Sequence, residues 1–136
     1  MKRHYLFDTG IAQDFQAGRR GIRERAIAHR KNGDRIGICV PVLGELWSGV
    51  ECSSSRERNL ALLKQALASL VIWPYSVEAA KEFGRIFAEL RRTGRIIQQI
   101  DMQIGAISRT LPNCTVVSKD SDFQAITGIT VENWAS

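Results

Sequence analysis

Ile36-Gly37-Ile38-Cys39-Val40-Pro41-Val42-Leu43-Gly44-Glu45-Leu46-Trp47-Ser48-Gly49-Val50 reads as a buried strand that runs straight into a helix. Residues 36–40 are apolar without alternation, the pattern of a strand covered on both faces. Pro41 suits a first helical turn, where no backbone N–H is needed, and the helix is predicted through Val50. A strand feeding a helix is the unit from which parallel sheets are built. The rest of the chain repeats it. Tyr5-Leu6-Phe7 is a short strand ended by Asp8-Thr9-Gly10, and segments 11–17 and 19–32 read as helices. Residues 56–70 carry Leu60, Leu63, Leu67 and Leu70 three or four apart, the spacing of one helix face. Leu70-Val71-Ile72-Trp73 is a third strand, stopped by Pro74. Ser76 caps a helix whose inner face holds Ala80, Phe83, Phe87 and Leu90. A short helix over 101–109, a strand over 115–117 and a last strand over 129–131 complete the chain. The expected fold is α/β: a three-layer α/β/α sandwich with a mainly parallel sheet of four to five strands, one domain over residues 1–136.

In such folds ligands bind outside the carboxyl ends of the strands. Four acidic residues fall there or inside an apolar helix: Asp8, Glu45, Asp101 and Asp120. Acids are normally excluded from such places unless something pairs them. Asp8 follows a strand directly, and its plain alternative is a helix N-cap. In the helix 41–50, Val42, Leu43, Leu46, Trp47 and Val50 cover most of the circumference, so Glu45 is expected to be at least partly buried. A buried glutamate needs a cation or a hydrogen-bond partner, and an arginine partner is the alternative. Asp101 opens a helix on whose face Gly105 and Ser108 follow at i+4 and i+7. Those small residues leave room for a ligand, with an N-cap again as the alternative. Asp120 and Asp122, two apart in a loop after a strand, can both reach one cation. Ser118 is placed to hydrogen-bond and orient a neighbouring carboxylate. Asp14 falls near the same edge.

Four carboxylates drawn together repel and raise one another's pKa. A hard divalent cation such as Mg²⁺ or Mn²⁺ removes that cost and selects carboxylate and water oxygen. Such an ion polarises a phosphodiester and activates water. The chain around these acids is basic, with formal net charge +5 over 136 residues, which favours a polyanionic partner. The three cysteines, Cys39, Cys52 and Cys114, form no CxxC or Cys/His zinc spacing. Cys39 and Cys114 read as small buried hydrophobes of a reducing compartment. No apolar stretch approaches the ~18 residues of a membrane span, and the first residues are too short and polar for a signal peptide, so the cytoplasm is expected. His4 and His29 read as strand-edge and surface residues outside the acidic group, which argues against a histidine-based ribonuclease.

The segments LFDTG, ICVPVLGELWSGV, IIQQIDMQIGAIS and VVSKDSDFQAITGITVENW, in this order, resemble the PIN-domain nucleases, and among them the VapC-type toxins of bacterial toxin–antitoxin pairs. The resemblance covers nearly the whole chain. It implies a Mg²⁺- or Mn²⁺-dependent endoribonuclease, with Asp8, Glu45, Asp101 and Asp120 as the catalytic, metal-holding acids and Asp122 as an auxiliary ligand. Thr9 and Ser118 support the site, and VENW matches the short last strand. It further implies RNA as substrate, a homodimer, and an antitoxin that lies across a groove and brings a basic residue to the carboxylates. Trp47 is the expected mark of such a groove. Three departures stand out: Gly10 where the family usually has Asn, Val42 for a frequent Thr, and Cys39 for a frequent Ser. None removes an acid.

Two basic clusters suit RNA phosphates: Arg19, Arg20, Arg23, Arg25, Arg30 and Lys31, then Arg91, Arg92 and Arg95. A solvated helix face is the alternative for each arginine. Two competing functions remain at this level. A phosphatase with Asp8 as nucleophile would want an aspartate at position 10, where this chain has glycine. A catalytically silent PIN-like module would only bind RNA or a protein.

Overall fold

A computed structural model describes residues 2–135. Its sheet has five strands: β1 (His4–Phe7), β2 (Arg35–Cys39), β3 (Val71–Trp73), β4 (Cys114–Val117) and β5 (Thr130–Glu132). The spatial order is β3-β2-β1-β4-β5, and every neighbouring pair is parallel. The six helices are α1 (Thr9–Ala17), α2 (Ile22–Lys31), α3 (Val40–Glu51), α4 (Arg56–Leu67), α5 (Val77–Arg92) and α6 (Gln99–Thr110), with a 3-10 turn over Ser121–Ala125. The expected α/β/α architecture is the one observed, with α6 beginning two residues earlier than expected and β4 one.

The order of the strands positions the site. From β1 the chain winds outward through β2 and β3, then crosses back to lay β4 on the other side of β1. The direction of winding reverses between β1 and β4, and a crevice opens at such a switch point. Phe7 pairs with Val117 in the register, so Asp8 and Ser118 leave the sheet side by side. The Asp8 N–H donates to the Val117 carbonyl at 3.1 Å, extending the pairing one residue beyond the strand.

Successive strand residues face opposite sides of a sheet. Tyr5 and Phe7 share one face and meet α1 and α2 there: Phe7 packs on Phe15 with ring centroids 5.7 Å apart, and Tyr5 on His29 at 4.4 Å. Trp134, just beyond β5, closes this face. It is 1% exposed, stacks on His29 at an interplanar angle of 7°, and lies under the Arg25 guanidinium at 5.1 Å. The C-terminal aromatic is therefore a core residue. His29 is half-buried and pairs with Asp34, and His4 opens the central strand edge-on to Trp73, so neither is the strand-edge or surface residue expected. Among the described residues no helix is long and apolar enough to cross a membrane.

Candidate active site

Asp8 is held from two sides. As N-cap of α1 it accepts the Ile11 N–H on Oδ1 at 2.8 Å. The Ser118 hydroxyl donates to its other oxygen at 2.5 Å. The capping alternative is therefore observed, and it uses one carboxylate oxygen while Ser118 holds the other. The same Ser118 oxygen accepts the Asp120 N–H at 2.9 Å, so one buried hydroxyl ties the end of β1 to the loop after β4. Burial pushes the Asp8 carboxyl above the usual range. The hydrogen bonds from Ser118 and Ile11 oppose that, Asp120 reinforces it, and Lys119 opposes it weakly. Ser118→Ala removes the bond that orients Asp8 and is expected to lower turnover about 10–100-fold at saturating metal. A variant with wild-type kcat would show that Ser118 orients nothing the reaction needs.

Asp101 is not an N-cap. Gln98 holds that position of α6, and Asp101 is the third helical residue. Its side chain is 8% exposed, with no hydrogen-bond partner among the described residues. Burial first, then the charges of Asp120, Asp8 and Asp122, push its carboxyl up to about 6. A buried, bare carboxylate facing other carboxylates is in the state a cation would relieve. The small residues following it do not leave ligand room as expected. A Cβ on Gly105 would meet Ile126 Cδ1 at 2.9 Å, so this glycine admits close packing beneath the 3-10 turn. Ser108 is buried at 4% exposure.

Asp120 caps the 3-10 turn by accepting the Asp122 N–H at 2.9 Å. Carboxylate oxygens of Asp101, Asp120 and Asp122 all lie within 4.8 Å of one another. Asp122 also accepts a hydrogen bond from Arg95 at 2.8 Å, so an arginine suited on sequence to RNA is paired to the acidic group.

Glu45 departs from its expectation, for it is exposed. The buried residues of α3 are Val42, Leu46 and Val50, with Leu43 and Trp47 half-buried beside them. At 3.6 residues per turn these fall in one stripe and leave 44, 45 and 48 open. Trp47 packs against the core instead of marking a groove. Glu45 nonetheless reaches the same place from across the crevice. A cavity of about 430 Å³ is lined by Asp8, Glu45, Asp101 and Asp120 together with Thr9, Gly10, Gln13, Gln98, Ile100 and Lys119. All four acids grouped on sequence thus share one wall.

The donor set suits a hard divalent ion, since it is carboxylate oxygen with no thiol or imidazole in the lining. Thr9 adds a buried hydroxyl oxygen with no partner among the described residues, an unusual state for a buried polar atom. Gly10 leaves its position open. A Cβ there would sit 3.8 Å from Asp8 Oδ1 and 4.0 Å from Lys119 Cε, which is ordinary contact.

Residues 5–129 match the PIN domain family. The chain belongs to the PIN-domain family. Among curated relatives of this PIN domain, Ribonuclease VapC2 of Haemophilus influenzae is 29% identical over 130 residues, covering 96% of this chain and 97% of the relative. The tRNA(fMet)-specific endonuclease VapC of Salmonella typhimurium is 34% identical over 113 residues, 83% of each chain. Among solved structures, DNA-bound VapBC from Salmonella typhimurium superposes with a TM-score of 0.89 at 30% identity, over 99% of this chain and 100% of that one. PIN nucleases are generally dependent on divalent metal, and the acidic cluster of this PIN domain is of the matching chemistry.

Several basic residues of this PIN domain serve the fold. Arg23 donates to the Phe15 and Gln16 carbonyls at 2.7 and 2.6 Å and so closes the C-terminus of α1. Arg19 and Arg20 approach Asp14 at 3.3 and 3.5 Å. Sequence reasoning missed Lys119, Gln13 and Gln98 as walls of the cavity. Lys119 is adjacent to Asp120 in the chain, which is the one signal that could have raised it. Its partner Asp14 lies 105 residues away, beyond any local spacing.

Proposed function

We propose that this PIN domain, the whole of residues 1–136, is an endoribonuclease toxin of the VapC type that hydrolyses RNA phosphodiester bonds with Mg²⁺, or Mn²⁺ in its place. The observation carrying the reading is Asp101. It is buried, its carboxylate has no hydrogen-bond partner among the described residues, and burial and its carboxylate neighbours raise its pKa at the switch point of a parallel sheet. Asp101, Asp120 and Asp122 would hold the ion, with Asp8 and Glu45 completing the wall. When bound, the ion supplies Lewis-acid stabilisation of the phosphoryl charge and lowers the pKa of water. The chain's own residues set the geometry. Ser118 and the Ile11 N–H fix the two oxygens of Asp8, Ser118 fixes the loop that presents Asp120, and Arg95 tethers Asp122. Thr9 stands in the wall as a supporting group with a spare hydroxyl.

The tRNA(fMet)-specific relative makes transfer RNA the substrate to try first, and the VapBC complexes among the solved neighbours support an antitoxin as partner. A homodimer is what the family resemblance implies, and the cytoplasm is the compartment that the cysteine usage and the absence of a long apolar stretch favour. Incubation of the purified, partner-free protein with a cellular RNA pool tests the reading. Discrete fragments are expected with Mg²⁺ or Mn²⁺ and none with EDTA. Intact RNA under every metal, from folded protein that still binds it, would leave a silent binding module instead.

A further inference from the structure

The 430 Å³ cavity has a chemical difficulty: an RNA phosphate must enter a wall of four carboxylates. An ion offsets part of that charge but is exchangeable. Among the described residues lining the cavity, Lys119 is the one cation. Its ammonium donates to Asp14 Oδ2 at 2.9 Å, with no other hydrogen bond among the described residues, and its side chain is 38% exposed. A lysine has three N–H donors, so two remain. The stem passes beside Gly10, where a Cβ would lie 4.0 Å from Lys119 Cε.

Asp14 is not satisfied by Lys119 alone. This side chain is 4% exposed, and Arg19 and Arg20 approach it as well. Lys119 and Arg19 by themselves set two cations against one buried anion, so the cluster is net positive, against the acidic wall. Lys119 is therefore more than a counter-ion that Asp14 needs. Arg19 also lines an adjoining cavity of about 320 Å³, which shares Gln13 and Glu45 with the first, so the basic rim continues away from the carboxylates.

We propose that Lys119 is a substrate-binding cation of the site, contacting a non-bridging oxygen of the RNA phosphate drawn up to the carboxylates. Asp14 is the positioning residue that holds its ammonium at the cavity mouth. The assignment rests on the nuclease reading for its substrate, but its test does not depend on cleavage.

Binding of total transfer RNA to the full-length protein is measured in EDTA between 50 and 200 mM salt, beside kcat and KM in Mg²⁺. Lys119→Met is expected to weaken binding about tenfold and to reduce the salt slope by about 0.7–0.9, the loss of one phosphate contact. KM rises by a similar factor. Lys119→Arg restores the slope. Asp14→Asn keeps the slope, because the cation remains, but raises KM because the ammonium is no longer held in place. A Lys119→Met protein with unchanged slope and KM and only a lowered Tm overturns the proposal, leaving Lys119 as a structural counter-ion. Should the wild type fail to cleave any RNA, the nuclease reading falls, and the slope difference in EDTA still decides the Lys119 contact.

Discussion

Asp101→Asn is expected to abolish cleavage, by about 10³-fold or more, while making the metal-free protein more stable. The first effect follows from removing a charged oxygen from the ion's wall, where several kcal/mol of transition-state stabilisation are at stake. The second follows from electrostatics. In the metal-free fold burial and three acidic neighbours push the Asp101 carboxyl up to about 6 from 3.8. Between those values the folded state binds more protons than the unfolded chain, so this group costs stability as pH rises through the window, and the loss persists above it. The asparagine carries no such cost. The stability difference between variant and wild type should be near zero at pH 4, grow through pH 6, and level off at up to about 3 kcal/mol. Thermal melts in EDTA across that range measure it. Mg²⁺ should then raise the wild-type Tm and move the variant less. An asparagine variant that cleaves, or that melts below wild type at pH 7.5 in EDTA, would remove Asp101 from the centre of the site.

Gly37→Ala is expected to destabilise the fold by about 3 kcal/mol or more. Gly37 pairs with Val71 across β2 and β3, and a Cβ added to it would sit 2.1 Å from the Val71 carbonyl oxygen and 2.8 Å from its carbon. Those are backbone atoms of a neighbouring strand and cannot rotate away. β3 has three residues at the sheet edge, so it would be pushed off. A fall in Tm of roughly 10 °C is the expected reading by circular dichroism. Gly84→Ala is the matched control. It lies in α5 with open space around its Cβ position, and it should stabilise by about 0.5–1 kcal/mol. Two alanines with equal Tm would mean that the close approach at Gly37 is relieved by a shift of β3 at little cost.

The acids were legible because each stands where an unpaired carboxylate is out of place: at a strand end or among apolar helix residues. Those are statements about local sequence, and the four do line one cavity. Glu45 lines the cavity, but not for the reason its neighbours suggested. Counting apolar neighbours overestimated the width of the α3 stripe, and Glu45 is exposed at the rim of the crevice. Gly105 failed in the same way, because whether a small residue makes room for a ligand or for a packed isoleucine depends on what the chain brings opposite it.

The basic residues show the limit most clearly. Arg19, Arg20, Arg23 and Arg95 looked alike as candidates for phosphate binding. In the fold they approach Asp14, close a helix end, or tether Asp122. Periodicity and composition sufficed for the strand–helix alternation and the parallel sheet, because burial against a core imposes local patterns. Two contacts that build the site join residues about a hundred positions apart, the ion pair of Lys119 with Asp14 and the hydrogen bond of Ser118 to Asp8. Charge carries no periodicity, so that pairing emerges only when β4 is laid beside β1.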